Sequence, residues 1–224
     1  MLKKITDIIL SLVIIIAASP LIVIILFVAF DMTEQFPLIV QNRFITLEKK
    51  KVKLYKIRTI KSSINFSRQE SNSNNIYYKN DFAEHVPRFC RWLRRTGLDE
   101  IFQLINVIKG EMSLVGPRPL LERDLLIMKK CEPEFYYRRT KLKSPPGITG
   151  YWQVYGDRSK GTENLIELEE NYEKQKSFHL DLKIILKSIL IVLTASHSDS
   201  IIISNRNLHL LKNKIKLSNQ LEKV

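Results

Sequence analysis

Residues Ile8 to Phe30, IILSLVIIIAASPLIVIILFVAF, form an apolar run of 23 residues with no charged side chain, bracketed by Asp7 and Asp31. At about 1.5 Å per helical residue, a run of this length reaches across a bilayer core of roughly 30 Å. A cleaved signal peptide is the alternative, since Lys3 and Lys4 precede the run and AAS resembles a small-residue cleavage site. The run nevertheless continues for ten residues past Pro20, too long for a signal h-region.

Ser19-Pro20 stands in the middle of the run. Proline removes one intrahelical hydrogen bond and kinks or ends a helix, although spanning helices tolerate it. The flanking charges decide between these outcomes. Lys3 and Lys4 lie before the run; Arg43, Lys49, Lys50, Lys51, Lys53, Lys56, Arg58 and Lys61 follow it, with only Glu48 among them. Lys and Arg mark the cytoplasmic side of a membrane segment, and here both ends carry the mark. The sequence therefore predicts a re-entrant helix-break-helix over residues 1–35, with Ser19 bonding a carbonyl that Pro20 frees.

The full chain of 224 residues is long enough for one compact domain with appendages. A formal charge of +13 calls for an anionic partner, and nucleic acid, anionic lipid and a phosphorylated substrate satisfy it equally. The two cysteines, Cys90 and Cys131, read as free thiols of a reducing compartment. His85, His179, His197 and His209 show no metal-ligand spacing.

From Phe36 to Lys61 apolar and basic residues alternate, as in a β-hairpin. Residues 62–75 are a polar loop. Asp81 to Leu93 reads as a helix on Phe82, Val86, Phe89 and Trp92, and a second helix spans Leu120 to Lys130. Residues 132–161 read as a long ordered loop, because they carry too many large apolar side chains for disorder. Glu163 to Lys176 is helical, with Glu170 and Lys174 as a supporting pair. The segment DLKIILKSILIVLTA from Asp181 either packs on the domain or lies in the membrane interface. The expected class is α+β: a mainly helical domain over residues 36–196 with a small β-hairpin and amphipathic helices, and a basic amphipathic tail over 197–224.

The chemistry concentrates in LRRTGLDEIFQLINVIKGEMSLVGPRP, Leu93 to Pro119. Adjacent helical residues point about 100° apart, so Asp99 and Glu100 cannot form one bidentate clamp but can take two jobs, nucleophile and metal ligand. The structural alternative is a capping box, Thr96-x-x-Asp99. Gly116-Pro117-Arg118-Pro119 holds one guanidinium between two prolines, a preorganised arginine suited to bidentate capture of phosphate. Carboxylate, metal ligand and arginine together are what phosphoryl transfer demands, and an aspartate can form an acyl phosphate.

Those blocks, with LYKIRTIK and PPGITGYWQVYG in this order behind an apolar hairpin with a central Ser-Pro, closely resemble the bacterial sugar transferase family, the small monotopic polyprenol-phosphate phosphoglycosyl transferases. The resemblance runs from Ile5 to about Ala195. It implies a two-step reaction on the cytoplasmic face of the inner membrane. A carboxylate displaces UMP from a UDP-sugar, and a polyprenol phosphate then takes the phosphosugar, starting a surface glycan that downstream glycosyltransferases extend. Carried over by motif, Asp99 is the nucleophile, Glu100 the Mg²⁺ ligand and Arg118 the diphosphate clamp. Lys56 and Arg58 belong to a block that faces the active site, and Arg158 is a further candidate for a phosphate contact. Most of the basic run from Lys49 to Lys61 reads as attraction to anionic lipid, worth roughly 1 kcal/mol per residue near the surface.

Three departures from the family pattern stand out: FITLEKKK after Arg43 where glycine-containing residues are usual, Phe102 where proline is common, and Asp157 inserted in YGDRSKG. Trp152 reads as a packing residue, because buried aromatics usually serve the core. A non-catalytic, membrane-anchored basic scaffold is the competing reading. A nucleic-acid module has only charge in its favour, with no stacking platform or recognition helix.

Overall fold

A computed structural model describes residues 2–49, 51–60, 86–157 and 160–195. Lys50, Lys61, the polar loop over 62–75, Phe82, His85, Arg158, His197, His209 and the tail lie outside the described residues. The apolar run forms helix α1, Leu2–Thr33, continuous with Pro20 inside it. The helix runs through Ser19-Pro20 without a gap, and the expected Ser19 bond is present there. Pro20 leaves the Ile16 carbonyl without its i+4 donor, and the Ser19 hydroxyl donates to that same carbonyl at 2.8 Å.

One face of α1 is buried, through Asp7, Ser11, Ile22, Ile25, Ala29 and Thr33. The rest is open: Ile9, Val13, Ile16, Val23, Ile24, Phe27 and Phe30 are all exposed. Both ends of the run touch the body of the protein. Near the start, the Ser113 hydroxyl donates to Asp7 Oδ2 at 2.5 Å, and Lys3 Nζ meets Asp181 Oδ2 at 2.5 Å. Near the end, Ile25 and Ala29 pack with Ile57 and Leu93.

The expected β-hairpin is present: β1, Leu38–Arg43, pairs antiparallel with β2, Val52–Ile57, with Leu38 opposite Ile57 and Arg43 opposite Val52. Phe44, just past β1, exchanges backbone bonds with Leu120. Then follow α2, Arg88–Thr96; a 3₁₀ turn, Leu98–Glu100; and α3, Gln103–Ile108. Next come β3, Ser113–Val115, and α4, Glu122–Cys131.

The segment expected as a loop over 132–161 is instead structured as α5, Pro133–Thr140; β4, Gly147–Thr149; and α6, Tyr151–Tyr155. Pro133 opens α5 at its first turn, where a missing N–H costs nothing. Strand β4 pairs parallel with β3, Ser113 opposite Gly147, and only glycine permits the approach. A Cβ on Gly147 would stand 2.1 Å from the Gly116 nitrogen, and one on Gly116 would stand 2.3 Å from the Pro145 carbonyl.

Helices α7, Gly161–Gln175, and α8, Phe178–Leu193, complete the body. The Glu170 carboxylate is gripped chiefly by Arg138 of α5, Nε at 3.0 Å and Nη2 at 2.7 Å, with Lys174 adding a favourable charge. The planar guanidinium fork outcompetes a flexible ammonium for two oxygens. Helix α8 divides its faces: Asp181 and Ile184 are buried, while Leu182, Leu186, Ile189, Leu190 and Leu193 are exposed. Trp152 is 1% exposed in the cluster with Leu120, Leu165 and Ile166, as its packing reading expects. Both cysteines are free thiols. Helices dominate, with two small sheets of two strands each among the described residues.

Candidate active site

Helix α2 ends at Gly97, whose φ of 75° lies in the left-handed region that favours glycine. That reversal turns the chain into the 3₁₀ turn carrying Asp99 and Glu100. Thr96 does not build a capping box. Its hydroxyl donates to the Leu93 carbonyl at 2.9 Å and accepts the Leu98 N–H at 3.4 Å. Asp99 and Glu100 are 3% and 6% exposed, far drier than helix-capping carboxylates need to be. Burial of two adjacent acids requires partners.

Glu100 has them. Its Oε1 lies 2.6 Å from Lys56 Nζ, itself buried on β2, and its Oε2 accepts from Gln103 Nε2 at 2.8 Å. Across the cleft, β3 delivers the Gly116–Pro119 loop and its buried Arg118. The loop is tied from behind. The Arg118 N–H donates to Glu169 Oε1 at 2.8 Å, and the Arg118 carbonyl accepts from Arg139 Nη2. Arg139 is fully buried; it ion-pairs with Glu169 through Nη1 and donates from Nε to the Ile45 carbonyl at 2.7 Å. Burial pushes the Glu169 carboxyl up, while Arg139 and the Arg118 N–H pull it back toward the charged form.

Arg43, Lys56, Glu100, Gln103 and Arg118 line one cleft, with Leu54, Pro119, Gly147 and Ile148 as its apolar walls. Three cations around a single lining carboxylate suit a ligand of several negative charges, such as a diphosphate. Lys56, Glu100 and Arg118 are thus brought together, with Asp99 buried beside Glu100 on the same turn. Arg58 is not among the residues lining this cleft, and its Nε donates to the Phe36 carbonyl at 3.0 Å, at the foot of β1. Arg158 lies outside the described residues. Phe102 packs against the cluster of Ile25, Ala29 and Leu93, and α3 begins directly after it. The Asp157 N–H donates to Asn164 Oδ1 at 2.8 Å.

Four residues escape sequence reasoning: Arg43, Gln103, Arg139 and Glu169. Gln103 had a signal, since it follows Glu100 by three residues and shares its helical face. Nothing in RRT or LEEN distinguishes Arg139 or Glu169 from solvated neighbours.

The family model for bacterial sugar transferases matches residues 1–195. The chain is 32% identical over 201 residues to the undecaprenyl-phosphate galactose phosphotransferase of Salmonella typhimurium, covering 86% of this chain and 40% of that protein. It is 30% identical over 194 residues to the UDP-glucose:undecaprenyl-phosphate glucose-1-phosphate transferase of Escherichia coli, covering 84% and 39%. An uncharacterized sugar transferase of Bacillus subtilis, EpsL, is 41% identical over 105 residues, 47% of this chain and 49% of that protein. The chain therefore spans less than half the length of these relatives.

Proposed function

The chain belongs to the bacterial sugar transferase family, and on that premise we propose that it transfers a sugar 1-phosphate from a UDP-sugar to a polyprenol phosphate through a covalent intermediate on Asp99. The observation that carries the reading is the cleft itself, which sets Lys56, Glu100 and Arg118 around one space, with Asp99 buried on the same turn as Glu100. An Asp99 carboxylate oxygen attacks the sugar-bearing phosphorus, the bond from that phosphorus to the bridging oxygen breaks, and UMP leaves with the bridging oxygen. A polyprenol phosphate oxygen then attacks the same phosphorus and expels the Asp99 carboxylate, giving the diphosphate-linked sugar. Arg118 grips the diphosphate with its planar fork, held in place by Glu169 and Arg139. Lys56 offsets negative charge that gathers beside Glu100.

Mg²⁺ is commonly held by one or two carboxylates, with substrate phosphates and water supplying the remaining oxygens. The residues fit that mode through one carboxylate: Glu100 lines a cationic cleft, with Lys56 on its Oε1 and Gln103 on its Oε2 as the partners an ion would share. Glu100 would hold an ion arriving with the diphosphate, and the ion supplies charge neutralisation at the phosphates. UMP release from a panel of UDP-sugars, with Mg²⁺ and polyprenol phosphate, tests the reading. Release occurs with at least one sugar and stops in chelator. Arg118→Lys recovers little of the activity lost in Arg118→Ala, because an ammonium cannot replace the fork. A scaffold releases no UMP from any of them, and full activity in chelator refutes the role given to Glu100.

The membrane reading is a re-entrant seat for α1 with the site on the cytoplasmic face of the inner membrane, where UDP-sugars are found. It is supported by the two ends of the apolar run, Asp7 on Ser113 and Ala29 in the cluster of Ile57 and Leu93, since a straight crossing would pull one of these contacts away. Anionic lipid then attracts the flanking basic residues. Single cysteines at Leu2 and Lys51, in a background of Cys90→Ala and Cys131→Ser, both escape a membrane-impermeant thiol reagent applied to intact cells. Labelling of one end alone means a span and overturns the seat.

A further inference from the structure

Helix α2 places Arg88, Arg91, Trp92 and Arg95 at i, i+3, i+4 and i+7, and all four are exposed while Cys90, Leu93 and Thr96 turn inward. Among the described residues, none offers these three guanidiniums a carboxylate within salt-bridge distance. Trp92, 43% exposed, lies in the middle of the arginines and stacks at 5.6 Å on Phe89. A solvated helix face has no use for an open indole, and an open indole among arginines has a specific use: Trp settles at the level of lipid headgroups, where Arg and Lys meet anionic lipid.

The depth of α2 is fixed by its other face. Leu93 packs against Ile25 and Ala29 of α1, which stand six and two residues before Asp31, the charged end of the apolar run. At about 1.5 Å per residue, those contacts lie within roughly 9 Å of the run's end, and packed helices sit about 8–10 Å apart. With the run embedded, α2 therefore lies at headgroup height. Helix α8, which touches α2, also exposes an apolar face.

We propose that the Arg88, Arg91, Trp92 and Arg95 face of α2 is a seat for anionic phospholipid headgroups. It sets the height of Asp99, which follows the end of α2 by three residues. The proposal rests on the membrane seat of α1, so its test carries a control for that seat. Trp152, 1% exposed, is the only other tryptophan, so fluorescence separates the two readily.

The full chain is reconstituted in nanodiscs of phosphatidylcholine, with or without phosphatidylglycerol, bearing bromine on the acyl chain near the headgroup. Emission shifts to the blue and is quenched when phosphatidylglycerol is present, and Trp92→Phe loses the change. The triple variant Arg88→Gln, Arg91→Gln, Arg95→Gln loses its dependence on phosphatidylglycerol. In the Trp92→Phe background, Phe27→Trp reports on α1 and is quenched in every lipid. An unquenched Phe27→Trp overturns the membrane seat and this proposal together. A quenched Phe27→Trp with Trp92 indifferent to phosphatidylglycerol overturns this proposal alone, as does a Trp92 response that requires polyprenol phosphate.

Discussion

Asp99→Asn folds and releases no UMP. The substitution keeps the shape of the side chain, so the 3₁₀ turn and the αL residue before it are undisturbed, but a carboxamide is not a nucleophile toward phosphorus. Deleting the nucleophile of a covalent mechanism costs on the order of 10⁴-fold or more in turnover, a loss that Lys56, Glu100 and Arg118 cannot offset by binding alone. Thermal unfolding of the variant matches the parent within about 1 kcal/mol, the size expected when no buried contact is opened. Intact-mass analysis of the parent, given a UDP-sugar without acceptor, shows a phosphosugar adduct that the variant lacks. Near-normal UMP release by Asp99→Asn, or the same adduct on it, removes Asp99 from the mechanism.

Arg139→Met costs heavily in stability. Glu169 is then left buried without its counter-ion, and breaking a buried pair from one side destabilises by about 3–5 kcal/mol. The sign with pH follows. Burial already pushes the Glu169 carboxyl up, and without Arg139 the folded state binds that proton more tightly than the unfolded chain does. The variant's deficit relative to the parent is therefore smallest at low pH and grows as pH rises above the ordinary carboxyl range.

Replacing both partners, Arg139→Met with Glu169→Met, restores much of the stability, because two apolar side chains of similar length need no solvation. It does not restore turnover, since the Arg118 N–H has lost its acceptor and the Arg118 carbonyl its donor. Chemical unfolding in nanodiscs, read beside UMP release, checks both halves. A double variant as unstable as the single refutes the unpaired-charge account, and one with full turnover refutes the positioning of Arg118.

Part of this arrangement is legible before folding is considered. The apolar run, the hairpin on alternating residues, the α4 and α7 helices and the rigid Pro-Arg-Pro loop all follow from near-neighbour chemistry. Lys56 is named by the resemblance, in a block that faces the active site, although its contact with Glu100 is not. The segment over 132–161 was misread as a loop because α5 and α6 are each too short to show a full apolar period. Strand β4 is three residues held by a neighbour rather than by propensity.

The sequence by itself determined that a long apolar helix precedes a basic body, that two adjacent acids follow Gly97, and that Arg118 sits on a stiff loop. Each is a property of bonded or nearly adjacent residues: the reach of a helix, the order of neighbours, the ring constraint of proline. Tertiary structure alone decided that Lys56 faces Glu100, that Arg139 and Glu169 anchor the phosphate loop, and that both ends of α1 lie against one body. A charge's partner is chosen by where packing leaves it dry, and the cost of leaving it unpaired exists only after burial.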